Sequence, residues 1–153
     1  RTDGSRVRVG MPDYLMVFRK PSEGKTPEPV AHDPGSYPVT WWQEAASPVW
    51  MTIEQTNVLN VAVARDDKDE RHLCPLQLDV IERCVHLWSN ANDVVYSPFM
   101  GIGSEGYIAV KHGRRFIGTE LKPAYYRQAV RNLDQAVAEG VSGDLVAQMV
   151  AAE

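Results

Sequence analysis

Residues 93–120 read DVVYSPFMGIGSEGYIAVKHGRRFIGTE, and this stretch decides the fold. An apolar run leads into Gly101-Ile102-Gly103, an amphipathic segment follows, and a second apolar run ends on Glu120. This order predicts a strand, a glycine turn, a helix and a second strand closed by a carboxylate. Glycines let the backbone approach a ligand at the head of the helix, where free N–H groups point outward. A carboxylate at the tip of the next strand accepts hydrogen bonds from both hydroxyls of a ribose. The stretch therefore predicts a site for an adenosine-type cofactor.

The composition of the 153-residue chain is that of an ordinary globular protein, with 44% apolar and 24% charged residues, and its length fits one domain or part of one. A net charge of −4 gives no general attraction to nucleic acid or to anionic membranes, so any DNA contact has to come from local basic patches. No apolar stretch approaches the roughly 20 residues of a membrane span, and the first residues are polar, unlike a signal sequence. We therefore expect a cytoplasmic protein with no membrane contact.

The first part of the chain predicts strands followed by loops. Residues 6–9 and 14–18 predict two short strands, and the second, YLMVF, is apolar enough for the centre of a sheet. Residues 1–25 carry six basic and three acidic side chains, a local positive excess that suits either a solvated edge or phosphate contacts. Proline and glycine are too frequent in residues 21–38 for regular structure. Three tryptophans follow, for which burial as anchors is favoured over stacking on bases: Trp41, Trp42 and Trp50.

A helix is predicted before the central stretch, beginning at Cys74-Pro75 with the proline in its favoured first turn. Four residues at helical spacing give this helix a buried face: Ile81, Cys84, Val85 and Trp88. Three charged residues lie off that face and are expected in solvent: Asp79, Glu82 and Arg83.

A second helix is predicted after the central stretch, with Pro123 in its first turn. Six of its residues recur at helical spacing along one face: Tyr126, Ala129, Val130, Leu133, Ala136 and Val137. We expect Gly140 and Gly143 to end this helix, and residues 145–152 to form a short final one.

The glycine turn alone leaves the cofactor open. Gly101, Gly103 and Gly106 satisfy the GxGxxG pattern, and Glu120 lies close to the spacing expected in a nicotinamide-dinucleotide fold. The pattern by itself is weak, because any tight turn between a strand and a helix tolerates glycine. A dinucleotide and S-adenosylmethionine both present an adenosine ribose to the second strand, so spacing does not separate them.

The residues around the turn resemble one family. Residues 97–104, SPFMGIGS, resemble the Asp-Pro-Phe-x-Gly-x-Gly-Thr signature of DNA amino-methyltransferases, which methylate cytosine N4 or adenine N6. Residues 114–120, RRFIGTE, with the tyrosine pair that follows, are similar to the family's next motif, whose glutamate holds the ribose. Residues 72–78, HLCPLQL, are similar to the segment before the cofactor turn in the beta-ordered branch, and residues 14–20 match its strand before the target-recognition loops. This resemblance favours S-adenosylmethionine over a dinucleotide.

The resemblance implies an α/β fold of the Rossmann-like, S-adenosylmethionine-dependent methyltransferase type, incomplete in this chain. It implies strands of the methyltransferase sheet at residues 1–20, a loop-rich remnant of target recognition at 21–70, and the cofactor-binding half at 71–153. The residues that the family would place around the cofactor are His72, Cys74, Pro75, Ser97, Pro98, Phe99, Met100, Gly101, Gly103, Ser104, Glu120 and Tyr125.

The sequence also departs from the family. Aspartate is usual at the position of Ser97 and threonine at that of Ser104, so the first change replaces a charged acceptor with a neutral one. The family's catalytic tetrapeptide, in which Asp, Ser or Asn precedes two prolines and an aromatic residue, occurs nowhere in the sequence. We therefore expect the C-terminal part of a longer beta-class enzyme, with no catalytic residue in this chain and a missing N-terminal catalytic half.

The resemblance implies double-stranded DNA as the substrate and a bacterial or phage-encoded enzyme of the restriction-modification type. The exposed sheet edges of a half-domain also favour a homodimer. Two alternatives stay open: an NAD(P)-binding oxidoreductase fragment, and a non-catalytic DNA-binding module that uses residues 1–25 and the tryptophans. No metal site is expected, because Cys74 and Cys84 form no CxxC motif and no histidine pair stands nearby at ligand spacing.

Overall fold

The computed structural model describes residues 13–21, 24, 28–59 and 75–150, with side chains up to residue 140. Four helices and two strands lie in these ranges. In chain order they are α1 (Val39–Ala45), α2 (Leu78–Trp88), β1 (Val94–Ser97), α3 (Ser104–Lys111), β2 (Arg115–Gly118) and α4 (Pro123–Val150). None of the helices in the described ranges is both long and apolar enough to cross a membrane.

The two strands pair in parallel, with Val94 opposite Arg115 and Ser97 opposite Gly118. Parallel neighbours need a connection that returns the chain to the same end of the sheet, and α3 makes that connection. The predicted order of strand, glycine turn, helix and strand is therefore confirmed. Because both strands run the same way, their carboxyl ends lie side by side and the loops that follow them meet.

The core lies where α3 packs against α2 and α4. Its buried side chains come from all three helices: Ile81, Val85, Tyr107, Ile108 and Ala136. Helix α4 offers small residues to this contact, since Ala129 and Ala136 are fully buried. A Cβ on Gly106 of α3 would come within 2.6 Å of the Phe116 ring and 2.8 Å of Leu133. Small residues therefore set how closely α3 approaches its neighbours.

Helix α2 begins later than predicted. Pro75 lies before the helix, and Gln77 is the residue that precedes its first turn. The Leu78 N–H donates to the Asn57 carbonyl oxygen, 2.8 Å away, so a contact with the preceding loop fixes the start of the helix instead of the proline. On the predicted buried face of α2, Ile81 and Val85 are buried and Cys84 is half-buried. Trp88, the last residue of that face, is exposed.

Helix α4 starts at Pro123, as predicted, but runs without a break to Val150. The predicted end at Gly140 and Gly143 is wrong, and the segment predicted as a separate helix at 145–152 belongs to α4 as far as Val150. A glycine costs a helix only about 1 kcal/mol relative to alanine, which the packing of α4 against α3 offsets. Of the predicted stripe, three residues are exposed: Tyr126, Val130 and Val137.

The predicted strand at residues 14–18 is not formed. Residues 13–21 contain no helix or strand, and the large side chains from Tyr14 to Phe18 are at least 51% exposed. A strand satisfies its backbone groups only by pairing with a neighbour, and in the described part of the chain the two strands pair with each other. The companion strand predicted at residues 6–9 lies outside the described residues.

Helix α1 lies in the region predicted to be loops. The indole N–H of Trp50 donates to the carbonyl oxygen of Ala45 at the end of α1, 3.1 Å away. The ring of Trp41 packs against that of Tyr37, with ring centres 4.7 Å apart. These two tryptophans are packing anchors, as expected, whereas Trp42 is 42% exposed.

One face of the sheet is left bare by the described residues. Val94, Tyr96 and Ile117 alternate with the residues that face α3, and they are 46%, 59% and 57% exposed. Parallel sheets are generally covered on both faces. The described residues therefore supply the cover for only one of them.

We predict that Gly106→Ala lowers the free energy of unfolding by about 1–3 kcal/mol, because the added methyl group overpacks the space between α3, β2 and α4. Urea unfolding followed by circular dichroism measures the change. Gly140→Ala is the matched control. The nearest heavy atom to a Cβ there is the Lys111 carbonyl oxygen, 3.9 Å away, so this substitution should be neutral or stabilise by up to about 1 kcal/mol. Equal losses in the two variants would contradict the packing argument.

Candidate functional site

The turn between β1 and α3 has a backbone that glycine adopts most easily. Gly101 has a φ angle of +53° and Gly103 has one of +84°. The Gly103 N–H donates to the Met100 carbonyl oxygen, 2.7 Å away, and Gly103 then caps α3. A Cβ on Gly103 would lie 3.1 Å from the Cβ of Ala129 in α4, whereas a Cβ on Gly101 would project into open space. The turn is therefore packed on its α4 side and open above Gly101.

Glu120 lies directly against this turn. Its Oε2 accepts a hydrogen bond from the Gly101 N–H at 2.9 Å, and its Oε1 accepts one from the Lys122 N–H at 2.8 Å. An ionised carboxylate only accepts hydrogen bonds, and each of its oxygens has room for a second donor. The two backbone N–H groups therefore orient the carboxylate and leave acceptor capacity for a ligand.

Hydrogen bonds between the loops that follow β1 and β2 keep these loops together. The Thr119 N–H donates to the Ser97 carbonyl oxygen and the Met100 N–H donates to the Thr119 carbonyl oxygen, both at 3.0 Å. The Thr119 hydroxyl also donates to the Pro98 carbonyl oxygen, 2.6 Å away. The parallel pairing thus continues past the strands and places Glu120 beside the turn.

Asn132 of α4 supports the turn from inside the protein. Its side-chain N–H donates to the Ile102 carbonyl oxygen at 2.8 Å, and its Oδ1 accepts from Gln128 at 2.9 Å. Asn132 and Ile102 are both buried, so this bond is shielded from water. Sequence spacing does not single out Asn132, because it lies beside the apolar stripe of α4 and its partner is distant in the chain.

Five of the predicted cofactor residues differ in exposure around this turn. Phe99 is 87% exposed, and Pro98 is exposed beside it. Met100 is buried, as are Ser97 at the end of β1 and Ser104 at the start of α3. Pro98 and Phe99 therefore present surface to a ligand, while the buried residues shape the turn.

The remaining predicted cofactor residues lie farther from the glycine turn or outside the described residues. Tyr125, in the first turn of α4, packs against the buried Ile102. Pro75 lies just before α2. His72 and Cys74 lie outside the described residues, so their place beside the cofactor stays a prediction.

Two titratable side chains on α2 and α3 suit packing better than catalysis. The free thiol of Cys84 is half-buried on α2, and burial raises its pKa to about 11. The Tyr107 hydroxyl donates to Glu139 at 2.6 Å, and burial together with this carboxylate raises the pKa of Tyr107 to about 12. Both groups are therefore neutral near pH 7 and are weak nucleophiles there.

A second polar cluster lies at the other end of α3. The Nε2 of His112, the residue that follows α3, is 3.1 Å from Oε1 of Glu82, and the Nε2 of His86 is 3.8 Å from the same oxygen. Hydrogen bonds from His112 and then from His86 hold the pKa of Glu82 well below its usual range. Asp79 and Arg83 contact the loop before α2. Asp79, Glu82 and Arg83 were predicted to lie free in solvent. This prediction is wrong, because each of the three side chains contacts another residue.

Comparisons with known proteins find relatives of this chain. The family model described as DNA methylase matches residues 11–131. Type II methyltransferase M1.MboII of Moraxella bovis is 42% identical over 64 residues, covering 42% of this chain and 25% of that protein. DNA adenine methyltransferase YhdJ of Escherichia coli K12 is 34% identical over 70 residues, covering 46% of this chain and 24% of that protein. Type II methyltransferase M.HindIII of Haemophilus influenzae is 27% identical over 123 residues, covering 78% of this chain and 39% of that protein. The chain therefore spans between 24% and 39% of the length of these relatives.

A solved structure shares the fold. TTHA0409 from Thermus thermophilus, whose structure contains S-adenosyl-L-methionine, matches with a TM-score of 0.56 and 26% sequence identity. The match covers 78% of this chain and 41% of that one. The Rossmann-like α/β fold expected from the sequence is thereby confirmed, in partial form.

We predict that Asn132→Ala lowers the free energy of unfolding by about 1–3 kcal/mol, because it leaves the Ile102 carbonyl oxygen buried without its donor. Thermal unfolding measures the loss. Gln135→Ala on the same helix is the control. The side chain of Gln135 is exposed and donates to Glu139, so the effect should stay within about 0.5 kcal/mol. Similar losses in both variants would show that Asn132 does not support the turn.

Proposed function

This chain belongs to the DNA methylase family, and on that premise we propose that it forms the S-adenosylmethionine-binding half of an enzyme that methylates an exocyclic amino group of DNA, adenine N6 or cytosine N4. The observation that carries the proposal is the Glu120 carboxylate, held beside the glycine turn by the N–H groups of Gly101 and Lys122. Paired acceptor oxygens at the tip of the second strand suit the two hydroxyls of a ribose.

The residues around the turn fit this cofactor. Open space above Gly101 lets an adenosine approach the backbone, and the exposed ring of Phe99 offers an apolar surface. Bound S-adenosylmethionine supplies a methyl group on a positively charged sulfur for direct transfer to nitrogen. The role of this chain is to bind and orient: Glu120 holds the ribose, and Phe99 and the backbone of 100–103 line the cofactor. The family resemblance implies that residues 72–75 border its methionine end, but residues 72–74 lie outside the described residues.

The two alternative functions have less support. A nicotinamide dinucleotide fits the glycine spacing, but the matching family model describes DNA methylases and the relatives are named as methyltransferases. A non-catalytic DNA-binding module would depend on residues 1–25 and on the tryptophans. Most of residues 1–25 lie outside the described residues, and Trp41 and Trp50 make packing contacts within the protein. The cofactor-binding proposal rests on described contacts, so we retain it.

The catalytic half of the enzyme is proposed to come from outside these 153 residues. The polar residue, two prolines and aromatic residue that grip a flipped base occur nowhere in the sequence. The sheet face of Val94, Tyr96 and Ile117, which the described residues leave bare, supports the same proposal, because a parallel sheet is generally covered on both sides. We expect the N-terminal catalytic half to cover this face and double-stranded DNA to bind the completed enzyme. A second copy of the chain is the alternative cover, which a measurement of molar mass by light scattering distinguishes.

We predict that the wild-type chain binds one S-adenosylmethionine in a calorimetric titration, and that Glu120→Ala weakens this binding at least tenfold. The expected loss follows because hydrogen bonds to a charged group are worth about 1.5–3 kcal/mol. Glu139→Gln is the matched control. The Glu139 carboxylate contacts Tyr107 and Lys111, towards the far end of α3, so its removal should leave the affinity unchanged.

Circular dichroism verifies that both variants fold. Unchanged affinity in a folded Glu120→Ala variant would contradict the assignment of the ribose to this carboxylate. Saturable binding of a reduced nicotinamide cofactor, with none of S-adenosylmethionine, would favour the dinucleotide alternative instead.

A further inference from the structure

Three potential metal ligands meet at the end of α3 that is remote from the glycine turn. Glu82 and His86 are four residues apart on α2, so their side chains share one face of the helix. His112 follows α3, and its ring meets that of His86 edge-on, with ring centres 4.5 Å apart. One ligand atom from each of the three residues lies within 4.8 Å of the other two. The packing of α2 against α3 holds this set together.

The distances in this cluster suit a metal ion of the size of zinc. Oε1 of Glu82 lies 3.1 Å from Nε2 of His112 and 3.8 Å from Nε2 of His86. Ligand atoms bound to a tetrahedral zinc ion are separated by roughly 3.3 Å. Small side-chain movements therefore bring all three atoms to bonding distance. Two imidazoles with one carboxylate favour zinc and its neighbours over calcium or magnesium, which prefer oxygen ligands.

The surroundings orient His86 as a metal ligand needs. Its Nδ1 is hydrogen-bonded to the Tyr37 hydroxyl, 2.8 Å away, which leaves Nε2 directed at Glu82. Histidines that bind metals almost always donate a hydrogen bond through their other ring nitrogen, and with a metal on Nε2 the Nδ1–H of His86 would donate to the Tyr37 hydroxyl oxygen. The side chains of His86 and His112 are 16% and 23% exposed and that of Glu82 is 43% exposed, so the cluster is shielded but open to an ion from solvent.

We propose that Glu82, His86 and His112 bind one divalent transition-metal ion, best represented by zinc, and that this ion joins α2 to the turn after α3. Three protein ligands leave a fourth position for water. Because α3 has eight residues, the ion lies about 12 Å along the helix from the glycine turn. The proposed metal site is therefore separate from the proposed cofactor site, and the two can be tested independently.

Calorimetric titration of zinc into the whole chain, first freed of metal with a chelator, tests this proposal. We expect one zinc ion per chain, and a melting temperature that rises with added zinc and falls when the chelator returns. Glu82→Gln and His112→Asn should each weaken zinc binding at least tenfold. Tyr37→Phe removes the hydrogen bond that orients His86 and should weaken zinc binding about tenfold or more.

Two variants beside the cluster serve as matched controls. Glu54 lines the pocket next to His86, and His32 donates a hydrogen bond to the His86 carbonyl oxygen, but neither belongs to the ligand set. Glu54→Gln and His32→Asn should therefore bind zinc as the wild type does.

Two results would overturn the proposal. One is the absence of saturable zinc binding by the wild-type chain. The other is equal zinc affinity in the wild type and in Glu82→Gln, since the ion would then lie elsewhere. Circular dichroism verifies that each variant folds. Glu82→Gln keeps the size of the side chain and one acceptor oxygen, so we expect it to fold. Its zinc affinity therefore tests the proposed site even if His112→Asn does not fold.

Discussion

The hydrogen bond from the Gly101 N–H to the Glu120 carboxylate is the contact on which the candidate cofactor site depends. It forms because β1 and β2 are parallel and their register places Ser97, the last residue of β1, opposite Gly118, the last residue of β2. A shift of one residue in that register would turn the side chains of one strand to the opposite face and carry Glu120 away from the turn. The pairing that defines the fold therefore also assembles the site.

Helix α3 connects two places with different requirements. At its start, the site consists mainly of backbone, with left-handed glycines that Asn132 of α4 supports from inside. At its end, the cluster of Glu82, His86 and His112 consists of side chains from two elements. The start has open space above Gly101, whereas at the end side chains of α2 meet the residue that follows α3. The proposed cofactor site and the proposed metal site therefore lie at opposite ends of one short helix.

The central strand, turn, helix and strand were predictable because their signals are local: apolar runs, glycines at fixed spacing and a terminal carboxylate. Contacts between distant segments were not. Asn132 reaches Ile102, and His112 reaches His86, only because of how the helices pack, and no spacing in the chain encodes these distances. The same limit explains two wrong predictions. Helix α4 continues past Gly140 and Gly143 because its packing against α3 offsets the cost of the glycines. The apolar segment 14–18 pairs with no strand among the described residues.

The most direct test of the cofactor site is a nuclear magnetic resonance titration that follows each backbone N–H group of the chain as S-adenosylmethionine is added. We expect the signals of Gly101, Gly103 and Lys122 to move most, because these groups form the turn or bond to the carboxylate that we propose as the ribose acceptor. The signal of Val85, buried in α2, should stay in place. Saturating cofactor that leaves the first three signals unchanged would contradict the proposed site.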